Sequence, residues 1–165
     1  MNRSIEELKI RAKKLQNKAL EGEDAACALL AKYRMTPDGL QRKTCLNVIA
    51  KQQGFTDWRH AKTVLGGEAG CDQDQGSFWH SPSCSGFLNN WFAHYSEARD
   101  YLSQNPDMYL LPYKKQYMVV AENFIKAINL SEQCAPYWKA VGHDLIDAYG
   151  SSAWQTLVWT RIVRG

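Results

Sequence analysis

The sequence predicts an α+β protein that is mostly helical: an N-terminal bundle of about four helices, then a C-terminal helical region with a small antiparallel β-hairpin sheet. Three observations predict it. Apolar residues recur at steps of three and four through the first 65 residues, as amphipathic helices require. The stretch "MYLLPYKKQYMVV" reads as two short strands about a tight turn near Tyr113 to Lys115. Between these regions lies "GGEAGCDQDQGS", glycine-rich and without apolar periodicity. The expected organisation is a basic helical module over 1–65, a linker over 66–77 and an aromatic-rich α+β region over 78–165.

In the first module, Ile5, Leu8, Ala12, Leu15 and Ala19 mark one face of a helix over 4–20. Ser4 with Glu7 fits a capping box, and Gly22 ends the helix. The alanine-rich "EDAACALLAKYR" forms a second helix over 23–34, closed by "MTPDG". Cys45, Leu46, Val48, Ile49 and Ala50 make the buried face of a third. Gly54 suits the positive φ at a helix C-terminus. Thr56 is the expected cap of a fourth helix, with Trp58, Ala61, Val64 and Leu65 as its apolar positions.

In the second region, "FWHSPSCSGFLNNWFAHY" is too aromatic to be a free loop and must pack. "YSEARDYLSQ" is a short helix ended by Asn105 and Pro106. Pro112 has no N–H for a ladder, so its strand is an edge or kinks there. "AENFIKAINL", "APYWKAVGHDLIDAYG" and "SAWQTLVWTRIV" complete the chain as helical segments.

Composition narrows the function classes. With 45% hydrophobic and 12% aromatic residues the chain can build a packed core, so wholesale disorder is excluded. No apolar run approaches the ~20 residues that span a bilayer, and the charged N-terminus lacks a signal-peptide core. A cytoplasmic location with no membrane partner is expected, with the five cysteines reduced. Charge is uneven. Residues 1–65 hold 13 Lys and Arg against 7 Asp and Glu, a net of +6, and residues 66–165 carry −3. A basic first module points to an acidic partner, either nucleic acid or protein, or to the acidic second region of its own chain.

The residues "CLNVIAKQQGFTDWRHA" resemble a small helical module found at the N-terminus of bacterial proteins, ahead of glyoxalase-like and ankyrin-like regions. Ile49, Ala50, Gly54, Phe55 and Trp58 match its pattern. The second region is similar to a family of uncharacterised proteobacterial proteins. It shares with them a Phe-Trp-His start, an Asn-x-Trp-Phe centre and a Leu-Leu-Pro-Tyr-basic-basic-Gln hairpin. The two resemblances cover most of the chain and imply no activity.

Four constellations could carry chemistry. Residues 44–65 have the Ala-to-Gly spacing of a DNA-reading helix-turn-helix, in which Lys43, Lys51, Arg59 and Lys62 would contact phosphates or another acidic partner. Trp58 argues for a structural hairpin instead, because a tryptophan buries a large apolar area; it is expected to be buried, locking the fourth helix onto the first and third. Trp79, His80, Asn89, Trp91, Arg99, Tyr113 and Gln116 combine aromatic walls with polar tips, as a small-molecule pocket does and as an aromatic core does. Cys71, His80, Cys84 and His94 are zinc-compatible types at the wrong spacing, so no metal site and no cofactor is expected. No hydrolase, P-loop or dinucleotide motif is present, so an enzyme is not the expectation. His143 and Asp144 point about 100° apart on a helix and form no dyad. Cys84 and His80 could act as nucleophile and base only if the fold joins them. The leading expectation is a non-enzymatic binding module; the alternative is a small-molecule-binding protein or enzyme that uses the aromatic and polar cluster around His80, Arg99 and Gln116.

Overall fold

The computed structural model describes all 165 residues and is mostly helical, with eight α-helices and one three-stranded antiparallel sheet. The chain divides into two compact units, Met1–Gly66 and Gly67–Gly165. No helix is long and apolar enough to cross a membrane.

The first unit holds α1 (Arg3–Leu20), α2 (Asp24–Lys32), α3 (Arg42–Gln52) and α4 (Trp58–Leu65). Helix α1 buries Leu8, Ala12, Leu15 and Ala19 and packs against the other three. Its cap is Asn2, not Ser4. The Asn2 Oδ1 accepts the Ile5 N–H at 3.1 Å, and its Nδ2 donates to the Leu65 carbonyl at 2.9 Å. Ser4 is buried within the helix. A contact to the far end of the unit has selected a cap two residues earlier than the local pattern indicates. Helix α2 ends through Arg34, which takes φ 61°, while the Met35 N–H returns to the Leu30 carbonyl.

The turn from α3 to α4 is built around Gly54, whose φ of 93° belongs to the region that favours glycine. The Phe55 N–H then reaches the Ala50 carbonyl at 3.0 Å. Asp57, not Thr56, caps α4: its Oδ1 accepts the His60 N–H at 2.8 Å. The Thr56 N–H instead donates to His60 Nδ1 at 3.1 Å. Phe55 is the buried aromatic of the turn, at 3% exposure. Trp58 is half-buried, which corrects the expectation of a buried indole. Its contribution to the turn is through the backbone, its N–H donating to Asn47 Oδ1 on α3 at 2.9 Å.

In the second unit, β1 (Asn90–Phe92), β2 (Tyr109–Tyr113) and β3 (Gln116–Val120) pair in the order β1-β3-β2. Tyr113 faces Gln116 across a two-residue turn, where Lys114 takes φ 53°. Pro112 lies in β2, at the sheet's edge. One face of the sheet packs on α5 (Tyr95–Gln104), where Ala98 and Leu102 meet Leu110 and Val119. Trp91, Leu111, Tyr113, Gln116 and Met118 share the opposite face, because side chains alternate along each strand and the register aligns these positions. Helices α6 (Glu122–Ala127), α7 (Ala135–Ala140) and α8 (Ser152–Arg164) complete the unit.

The expected helix over "APYWKAVGHDLIDAYG" stops at Ala140. Gly142 and His143 both take positive φ, 63° and 58°, which no helix continues through. The chain then lies beside β2: the Leu110 N–H donates to the His143 carbonyl at 2.8 Å and the Leu145 N–H to the Leu110 carbonyl at 3.0 Å. Asp144 is the buried anchor. Its carboxylate accepts from Tyr95 Oη at 2.6 Å and from the Ile146 and Asp147 N–H groups at 2.9 and 3.1 Å. The glycine-rich stretch 67–77, expected as part of a linker, carries hydrogen bonds within the second unit. The Gln75 N–H meets the Lys114 carbonyl at 2.9 Å, the Lys114 N–H meets the Gly76 carbonyl at 2.8 Å, and the Ala69 N–H meets Tyr149 Oη at 3.2 Å.

Candidate functional site

Helices α3 and α4 carry the first candidate surface. Burying Cys45, Val48, Ile49 and Ala50 on α3 and Ala61, Val64 and Leu65 on α4 turns the remaining positions outward. Lys43, Lys51, Arg59 and Lys62 are all exposed. None has a carboxylate partner: the unit's ion pairs are Lys9–Glu6, Arg11–Glu7 and Lys18–Glu23. Arg59 and Lys62 are three residues apart and so neighbours on one helix face. His60 does not join them as a free base. Its Nδ1 accepts the Thr56 N–H, and its ring stands edge-on to Phe55 at 5.3 Å.

The second candidate surface is the sheet face opposite α5. Here the fold places Trp91, Tyr113 and His80 in a row. The Trp91 and Tyr113 rings meet edge-to-face at 5.2 Å, and His80 meets Tyr113 at 5.4 Å and Phe124 at 5.9 Å. Gln116 is exposed beside Tyr113, and Asn89 directly precedes β1. Two members of the expected pocket stand apart. Arg99 is exposed on α5, on the other side of the sheet, where its charge acts on Tyr95. Trp79 is buried and packs edge-on against Phe78 at 4.9 Å. The seven residues therefore do not form one enclosed pocket.

Behind the aromatic row, Arg161 of α8 donates from Nε to the Phe78 carbonyl at 3.3 Å. Burial pulls its guanidinium below its ordinary value. Burial, and then the charge of Arg161, push the His80 imidazole below its ordinary value, so His80 resists protonation. Cys84 is fully buried, and its Sγ meets Ser81 Oγ at 3.5 Å. No hydrogen bond joins Cys84 to His80, so the fold does not pair them as nucleophile and base. No three His, Cys, Asp or Glu side chains converge as a metal site would require. Cys71 is exposed and Cys84 buried.

A third cluster is not legible from residue types. His143 stacks on Tyr109 with ring centroids 4.2 Å apart and planes 9° from parallel, and Trp138 meets Tyr109 edge-on at 4.9 Å. The His143 Nδ1 bonds the Met108 carbonyl at 2.8 Å, and Tyr109 Oη donates to Glu122. Burial, with that bond to Glu122, pushes the Tyr109 phenol well above its ordinary value; burial and Asp144 do the same to Tyr95. With Trp138 fully buried and its Nε1 donating to the Leu130 carbonyl at 2.8 Å, the cluster ties β2 to the segments around it. The only sequence signal for it is the Gly-His-Asp run at 142–144, where a helical reading separates the side chains.

Compared with known proteins, the chain matches no family model, no curated protein and no solved structure.

Proposed function

We propose that the chain is a non-enzymatic binding module whose basic N-terminal helices engage an acidic partner, with the phosphate backbone of a nucleic acid as the first candidate. One observation carries the reading. Lys43, Lys51, Arg59 and Lys62 all project into solvent from α3 and α4, and no carboxylate neutralises any of them. Such charges give sequence-independent affinity through released counterions. The packing of α4 on α3, and of both on α1, supports the reading by fixing the two cation-bearing helices against each other. Its likeness to the bacterial helical module stands behind the reading as a proposal of kinship, and the likeness of the second region to uncharacterised proteobacterial proteins is proposed in the same way.

The test is fluorescence anisotropy with labelled duplex DNA at two salt concentrations, with polyglutamate as competitor. Replacing all four cations by alanine should weaken duplex binding at least about tenfold and reduce the slope against salt by about the number of phosphates released. Equal binding by parent and variant rejects the proposal. Displacement by polyglutamate at low concentration shifts the partner class from nucleic acid to acidic protein.

A further inference from the structure

Of the five tryptophans in the second unit, three are buried and Trp159 is half-buried. Trp79, Trp138 and Trp154 are 4%, 1% and 3% exposed. Trp91 departs from this at 44%, and the neighbouring Leu88 is 99% exposed. Trp91 is nonetheless held in place. Its strand pairs it with Met118, and Tyr113 stands against it at 75°. Little side-chain freedom is left to lose when a flat ligand covers it.

Two cations lie at the same end of the sheet. Lys114 and Lys115 form the hairpin turn, both are exposed, and Lys114 Nζ is 5.4 Å from the centre of the Tyr113 ring. Neither has an ion-pair partner. Of the acids in the adjoining loop, Asp74 accepts the Gly76 N–H at 2.7 Å, and the charge of Asp72 acts on Tyr117, which belongs to the α5 side of the sheet.

We propose that this end of the sheet binds single-stranded nucleic acid, with a base stacked on Trp91 beside Tyr113 and the adjoining phosphates on Lys114 and Lys115. An apolar peptide would use the rings and leave the lysines unmatched. Inorganic phosphate would use the lysines and leave the indole wet. A strand of nucleotides repeats a flat aromatic group and an anion, and so satisfies both. Gln116, exposed on the same face, offers a donor and an acceptor to a base edge. The site lies in the second unit and stands whether or not the basic face of α3 and α4 binds duplex DNA.

The experiment uses the full chain and a labelled oligothymidylate of about 12 nucleotides, read by anisotropy. Trp91→Ala should weaken binding by about tenfold, the ordinary effect of losing one stacked base, while Trp91→Phe retains most of the affinity. Lys114→Ala with Lys115→Ala should weaken binding and flatten its salt dependence. In a chain already carrying alanine in place of Lys43, Lys51, Arg59 and Lys62, the Trp91→Ala change should still weaken binding by the same factor, which separates this site from the basic helices. Thermal melts of each variant establish that it is folded. Unchanged binding by folded Trp91→Ala, or by the folded lysine double variant, overturns the proposal. So does competition by thymidine monophosphate at the oligonucleotide's own concentration, which would assign the site to a free nucleotide.

Discussion

Phe55→Ala is the sharpest test of how the first unit is held together. Phe55 follows the Gly54 turn, is 3% exposed, and sets its ring edge-on to His60 at 5.3 Å. Emptying a fully buried phenylalanine site costs about 3–5 kcal/mol. A unit spanning Met1–Gly66 has a total stability of only about 3–10 kcal/mol, so this one change removes most of the margin. Trp58 is the larger side chain, but it is half-buried, and part of its indole is already wet. Its truncation should cost roughly half as much, about 2 kcal/mol. Arg59→Ala and Lys62→Ala, both exposed, should fall within about 0.5 kcal/mol of the parent. The assay is hydrogen exchange on the full chain, followed by mass spectrometry of peptides from 42–66. A loss of about 3 kcal/mol raises exchange in α3 and α4 by more than about a hundredfold, since each ~1.4 kcal/mol is a factor of ten. Parent-like protection in Phe55→Ala would refute the reasoning. So would a Trp58→Ala protein that exchanges faster than Phe55→Ala.

Three further outcomes are expected. Tyr95 and Tyr109 have phenols raised by burial and by carboxylate partners, so the folded chain keeps protons that the unfolded chain releases near pH 10; stability should fall as pH rises past about 10, and Tyr95→Phe with Tyr109→Phe should flatten that loss in urea melts. His80 is lowered, so below about pH 6.5 the unfolded chain gains a proton the folded chain refuses; stability present above that pH is lost as pH falls toward the folded value, and His80→Gln should reduce the loss. Under native conditions iodoacetamide should modify Cys71 well before the buried Cys45, Cys84 and Cys134, as intact-mass and peptide analysis would record; burial also raises the Cys45 and Cys134 thiols, which leaves less thiolate to react.

Elements whose apolar spacing matched their own burial were legible in the sequence. Helix α1 buries Leu8, Ala12, Leu15 and Ala19, all from the expected stripe, and the hairpin turn falls between Tyr113 and Gln116 as its polar centre indicated. Helix caps were not legible to the residue. Asn2 was chosen over Ser4 by a bond to Leu65, 63 positions away, which no local pattern contains. Strand β1 has three residues, too few for alternation to register. The segment after Ala140 kept helical spacing in Val141 and Leu145, yet Gly142 and His143 turn the backbone aside to pair with Leu110. Of the candidate pocket, the row Trp91, Tyr113 and His80 came from one stretch of aromatic density and one hairpin. Arg99 was separated from it by the sheet, a division that residue types cannot express.

The edge of β2 has a consequence for the life of the chain in a crowded solution. A sheet edge is a template on which another strand can grow. Along β2, Leu110 and Pro112 are the residues whose backbone points away from β3, since outward and inward pairs alternate. Both backbone groups of Leu110 are occupied by His143 and Leu145, and Pro112 has no N–H to give. An incoming strand meets one site already filled and one without a donor, so this edge discourages fibril growth and strand exchange between copies. Displacing the segment around Asp144 would uncover the template at Leu110; the Tyr95 Oη bond to Asp144 ties that segment to α5, while the Ile146 and Asp147 N–H bonds fix its local turn.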